Sequence, residues 1–183
     1  MKSFILIVAA ALAGFGLFSP AASSAQSAPK FSSAYTDLKT QCKAVAEGEA
    51  EGNDTPLRCE GYGGYEIRID FSAASSHLRV QPRNGETEDS IHLAAQPLDY
   101  DAKRKIEWRL ADGKPFALIF RVDKVKEGLD AAEMWRPENK TGESLLVKGL
   151  RGYGHIDFEI DAHAPDANAK AREMADRALL KDR

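Results

Sequence analysis

The amino-acid sequence predicts a mainly β fold, an antiparallel sandwich or partly closed barrel, with one C-terminal α-helix. Three observations lead there. Tyr65, Ile67, Ile69 and Phe71 alternate with Glu66, Arg68 and Asp70, a period of two that lays four apolar side chains on one face of a strand. Two apolar runs, 106–110 and 116–120, flank Asp112-Gly113, a dipeptide that favours a tight hairpin. Ala167, Ala171, Met174, Ala175, Ala178 and Leu179 recur at helical spacing near the end of the chain.

Weaker strands follow the first one at Leu78 to Val80 and Ile91 to Ala95. Between them lie the turn signal Pro82-Arg83-Asn84-Gly85 and the acidic, solvated connection Glu86 to Asp89. In the hairpin, a two-residue turn sets Trp108 against Ala117 and brings Glu107 and Arg109 onto an apolar face. A three-residue loop, Ala111-Asp112-Gly113, instead aligns Trp108 with Phe116 and Ile106 with Leu118, and is the expected register because a one-residue slip flips a whole apolar set to solvent. Further strands are expected at Glu133 to Arg136, Leu145 to Lys148 and His155 to Ala162, with a turn-rich polar loop from Pro137 to Glu143. Pro165 offers a helix start with Asp166 in the first turn, favourable against the macrodipole, and the small residues that follow suit a helix lying close against a sheet.

The chain has 183 residues, 43% of them apolar and 29% charged, with only two cysteines. Those values exclude a disordered tail, a collagen-like repeat and a cysteine-dense miniprotein. A formal net charge of −3 excludes a nucleic-acid surface, which needs clustered Lys and Arg.

Lys2, the apolar run from Phe4 to Ala13 and the small residues Ser23-Ser24-Ala25 have the layout of a secretory signal. A membrane anchor is the competing reading, but the apolar run ends at Phe18, short of the ~20 residues of a spanning helix, so no stable membrane insertion is expected. Residues 1–25 are therefore assigned to a signal peptide, 26–34 to a flexible leader and 35–183 to a single β-rich domain. The implied location is periplasmic or secreted. In such a compartment Cys42 and Cys59 form a structural disulfide by default, because a redox pair is usually spaced Cys-x-x-Cys.

The run Arg58-Cys59-Glu60-Gly61-Tyr62-Gly63-Gly64-Tyr65 and the close from Asp161 to Asp176 resemble segments of small exported proteins of uncharacterised function from Gram-negative bacteria. The resemblance implies compartment and domain extent, and brings no reaction, ligand or catalytic residue.

The glycines at 61, 63 and 64 precede a strand rather than a helix, so they form a turn and not a phosphate loop; Gly149 to Gly154 reads the same way. His155, Asp157, Glu159, Asp161 and His163 project from one face of an extended strand and are the candidate metal ligands. Neighbours on such a face stand about 6.6 Å apart, too far for three to share one ion without partners from elsewhere, such as His77 or His92. A solvated strand face is the competing account. Tyr62, Trp135, Arg151 and Tyr153 are candidate binding residues, since loop aromatics and arginines commonly anchor recognition surfaces. No Gly-x-Ser-x-Gly elbow is present, and no cofactor is expected. The sequence thus points to an exported non-enzymatic binding module, inhibitor-like in character, for a protein or envelope ligand. The alternative is a metal-binding protein or metal-dependent hydrolase using the strand His155 to His163.

Overall fold

A computed structural model describes residues 27–45, 55–72, 74–85, 90–97 and 104–181. The expected signal peptide and the acidic connection Glu86 to Asp89 lie outside the described residues.

Among the described residues, ten strands form two antiparallel sheets. β1 (Phe31–Asp37), β7 (Lys105–Ala111), β8 (Lys114–Val125), β9 (Lys140–Gly149) and β10 (Asp157–Asp161) make one sheet in that order. β2 (Cys42–Ala44), β3 (Leu57–Glu60), β4 (Tyr65–Phe71), β5 (Ser76–Pro82) and β6 (Ile91–Gln96) make the other. The fold is a sandwich, and the barrel alternative falls because each sheet keeps its own strand order. Between the sheets, Ile67, Ile69, Leu78, Val80 and Leu93 pack against Ile106, Trp108, Leu118 and Phe120, all buried. Thr36 ties the two layers together: its hydroxyl donates to the Glu60 carbonyl at 2.7 Å and accepts the Trp108 indole N–H at 2.9 Å.

A second core lies on the outer face of the first sheet. There α2 (Ala167–Lys181) buries Ala167, Ala171, Ala175, Ala178 and Leu179 against Phe116, Ile119, Leu145, Val147 and Ile160. Four alanines in that stripe let the helix backbone come close to the sheet, as the small residues suggested. Because α2 covers its outer face, the sheet is buried on both sides, and in β7 the five residues from Ile106 to Leu110 are all buried.

The hairpin differs from the expected register. Asp112 (φ 50°) and Gly113 (φ 78°) form a two-residue turn, with Ala111 opposite Lys114. Phe116 is then an extra residue in β8: Leu110 pairs with Pro115 but Arg109 pairs with Ala117, which sets Trp108 opposite Leu118 and Ile106 opposite Phe120. The bulge turns Phe116 and Ala117 to the helix side together. Glu107 and Arg109 also face that side, where charges from α2 meet them. The three-residue loop rested on the assumption that those two charges had to face water.

Other expectations need correction. The leader assigned to residues 26–34 contributes Phe31 to Ala34 to β1, which pairs along its length with β7. The strand expected at Glu133 to Arg136 is instead a helical turn, α1 (Ala131–Met134), because the Asp130 carboxylate accepts the Glu133 N–H at 2.9 Å and caps it. The 137–143 loop is a short 3-10 turn, Pro137–Asn139, after which β9 begins at Lys140. The strand from His155 to Ala162 shortens to Asp157–Asp161 because Ile156 serves the preceding turn, its N–H reaching the Tyr153 carbonyl. α2 starts at Ala167, and Asp166 precedes it with φ 56° rather than entering its first turn.

Candidate functional site

Cys42 and Cys59 stand directly opposite each other on β2 and β3 and form the disulfide. It fastens a three-residue edge strand to the sheet, a structural role.

The four candidate binding residues do not form one surface. Tyr62 sits on the β3–β4 turn, partly exposed. That turn abuts the hairpin tip so closely that a Cβ on Gly63 would lie 2.6 Å from the Pro115 ring. Arg151 and Tyr153 belong to the β9–β10 loop at the same end, where the Leu150 N–H reaches the Phe116 carbonyl at 2.8 Å. Tyr153 is half-buried with its ring edge-on to Phe116, centroids 6.1 Å apart, so packing accounts for it. Trp135 lies at the opposite end. Its indole N–H donates at 2.7 Å to Ser75, beside the end of β4 that pairs Phe71 with Ser76, whereas Tyr65 pairs with Pro82 at the other end. Six residue steps along β4 separate those ends by about 20 Å.

The acidic strand does not assemble either. Asp157 is bonded by the Lys148 ammonium at 2.6 Å; Glu159 accepts the Ser144 hydroxyl at 2.7 Å and pairs with Lys124 at 3.1 Å; Asp161 accepts the backbone N–H of His163 at 2.9 Å. The Ser144 hydroxyl, and then Lys124, hold the Glu159 carboxyl below its ordinary range. His155 and His163 lie outside the strand, at its two ends. His77 and His92 neighbour each other on β5 and β6, ring centroids 6.3 Å apart, and partial burial, then His77, lower the His92 imidazole. Among the described residues no three His, Cys, Asp or Glu side chains are placed to hold a metal ion.

A different constellation converges beside α2. On the outer face of the helix-backed sheet, β1, β7 and β8 set Tyr35, Glu107 and Ile119 side by side in register. Arg172 of α2 reaches across this row: its Nε and Nη2 donate to the two Glu107 oxygens at 2.7 and 3.0 Å, and Nη2 also reaches the Tyr35 hydroxyl at 3.2 Å. Arg104 and Lys105 enter from the start of β7 and Arg121 from β8, closing a cleft of about 380 Å³ with Ile119 and Leu145 in its lining. Carboxylates hold the guanidinium groups in place: Arg104 bonds Asp123 at 2.7 Å and Arg121 bonds Glu143 at 2.8 Å. The Arg121 guanidinium, with help from Lys140 and Arg104, holds the Glu143 carboxyl down at about 2. The cleft thus presents four cations and one carboxylate around a small apolar floor, with Tyr35, 54% exposed, at its edge. Among the described residues its lining contains no serine, cysteine or histidine.

Sequence reasoning missed this site because its members stand at positions 35, 104, 105, 121 and 172, with no spacing to link them. The signal available was Glu107 and Arg109, charged residues inside an apolar strand.

No protein-family model matches the chain, and no solved structure matches it. The chain is similar to chloroplastic plastocyanin of Pisum sativum, 26% identical over 146 residues that span 74% of this chain and 86% of that protein. The two cysteines of this chain are joined to each other, so neither offers a free thiolate.

Proposed function

We propose that this protein is an exported, non-enzymatic binding module that recognises an acidic segment of an envelope protein through the cleft beside Tyr35. The carrying observation is the convergence of Arg104, Lys105, Arg121 and Arg172 with one exposed tyrosine on a surface whose described lining holds no serine, cysteine or histidine. Arginine and tyrosine are the side chains that most often dominate recognition, because each combines broad contact area with directional hydrogen bonds. Groups already held in place by Asp123, Glu143 and Glu107 lose little freedom when a ligand docks.

Export is supported by the formed disulfide and by the signal-like first 25 residues. Similarity to a chloroplastic protein accords with it. Among the described residues no helix is long and apolar enough to cross a membrane.

The test is fluorescence anisotropy with labelled Asp/Glu-rich peptides that carry one Leu or Phe, at low and high salt. Binding should weaken with salt. Lys105→Glu and Tyr35→Ala, both at exposed positions, should each weaken it at least fivefold while thermal melting stays unchanged. Equal affinity of both variants and the parent protein for every peptide would remove the cleft as the binding surface.

A further inference from the structure

Helix α2 leaves a second recess on its other flank. Taken at about 100° per residue, Asn168 and Arg172, which face the Tyr35 cleft, lie on the side opposite Arg177 and Lys181. Between the C-terminal half of α2 and β10 runs a groove of about 420 Å³, within the usual range for small-molecule sites. Phe158, Met174 and Ala178 supply its apolar surface, and Arg177, Lys181 and His155 its polar rim. Among the described residues no carboxylate lines it, and Glu173 pairs with Arg177 at its rim. Phe158 and Met174 are only half-buried, so the chain itself leaves their apolar surface open to a ligand.

We propose that this groove binds a single-chain fatty carboxylate. Its alkyl chain would lie along Phe158, Met174 and Ala178, and its carboxylate would meet Arg177 and Lys181. Charge decides the head group: Arg177 is paired with Glu173 on its own helix, but Lys181 adds a further cation beside the apolar floor, and the net positive rim favours an anion over an alcohol or an amine. Size decides against a protein partner, since a stable protein interface covers about 800 Å² on each side, far more than these six side chains offer. An acidic peptide adding to the free edge of β10 is also disfavoured, because Asp157, Glu159 and Asp161 punctuate that strand. This site is independent of the Tyr35 cleft, and either can fail without the other.

The experiment is calorimetric titration of the protein with sodium octanoate and sodium decanoate below their micellar concentrations, with decanol and acetate as controls. Backbone and methionine-methyl NMR on the same samples maps the site. Decanoate should bind about four- to fifteenfold more tightly than octanoate, following about 0.4–0.8 kcal/mol for each of two added CH2 groups at partial to full burial. The Met174 methyl and the amides of Phe158 and Ala178 should shift, while those of Tyr35 and Arg121 stay in place. Arg177→Glu with Lys181→Glu should weaken decanoate at least tenfold. Three results each overturn the proposal: no decanoate binding at millimolar concentration, equal affinity for decanol and decanoate, or shifts confined to the Tyr35 side of α2. The mapping uses the unaltered protein, so the test stands even if the double variant folds poorly.

Discussion

Arg109 on β7 and Asp176 on α2 meet in a two-point ion pair, Nε to Oδ1 at 2.7 Å and Nη2 to Oδ2 at 2.6 Å, which pins the helix to the sheet. The same guanidinium donates to the Ser33 hydroxyl at 3.0 Å and lies 5.6 Å from the Phe31 ring, joining β1 to the contact. Both partners are largely buried. Removing one of them strands the other's charge, which typically costs about 3–5 kcal/mol for a fully buried pair. Asp176→Ala should therefore lower stability by about 3 kcal/mol in urea unfolding, and Arg109→Met combined with Asp176→Leu should recover most of that loss. A single-variant effect below about 0.5 kcal/mol, the scale of an ordinary surface change, would mean that the apolar stripe alone docks the helix.

Acid should weaken the fold through Glu143. Its carboxyl is held at about 2 against an ordinary value of 4.5, so the folded state favours the ionised form. That stabilisation is complete above pH 4.5 and is lost as the pH falls through 4.5 towards 2. The shift corresponds to at most about 3 kcal/mol. Unfolding free energy measured from pH 6 down to pH 2.5 should fall accordingly, and Glu143→Gln should flatten the slope in that window. An unchanged slope in the variant would assign the acid sensitivity to other carboxylates.

The tight hairpin turn makes a prediction at one position. Gly113 has φ 78°, which a β-branched residue adopts only under strain, so Gly113→Val should destabilise by more than about 1 kcal/mol. Asp112→Asn keeps a side-chain oxygen for the Lys30 N–H, now accepted at 2.8 Å, and tolerates φ 50°; it should change stability by less than about 0.5 kcal/mol. Thermal unfolding of the two variants side by side checks the contrast, and a tolerated valine would refute the turn geometry.

The disulfide should contribute more than its local contacts. Cys42 and Cys59 are 17 residues apart in sequence, and closing a loop of that length restricts the unfolded chain by about 3 kcal/mol in the entropic description. Intact mass should rise by two hydrogens on reduction. Cys42→Ala with Cys59→Ala should lower stability by about that amount, since β2 is a three-residue edge strand paired only with β3. An unchanged melting temperature would show that β3 and β4 hold without it.

What the sequence determined by itself was local in origin. The alternation of residues 65–71 and the spacing of residues 167–179 are consequences of strand and helix geometry, and both elements stand where those periods put them, with Ile67, Ile69, Ala171 and Ala175 buried. The two cysteines likewise needed only an oxidising compartment to be paired, and they are. Element ends were less legible: whether residues 133–136 extend or coil depended on one carboxylate, Asp130, reaching the Glu133 N–H. The tertiary structure alone decided the faces. Period two predicts which residues share a side of a strand, but not whether a second layer will cover the other side. Here α2 does, so Glu107 and Arg109 are buried and answered by Arg172 and Asp176 instead of being solvated. It also decided the site: residue 35 meets residue 172 only because β1 pairs with β7 and α2 packs over the same sheet. A contact of such long separation depends on chain topology, which no local pattern of side chains encodes.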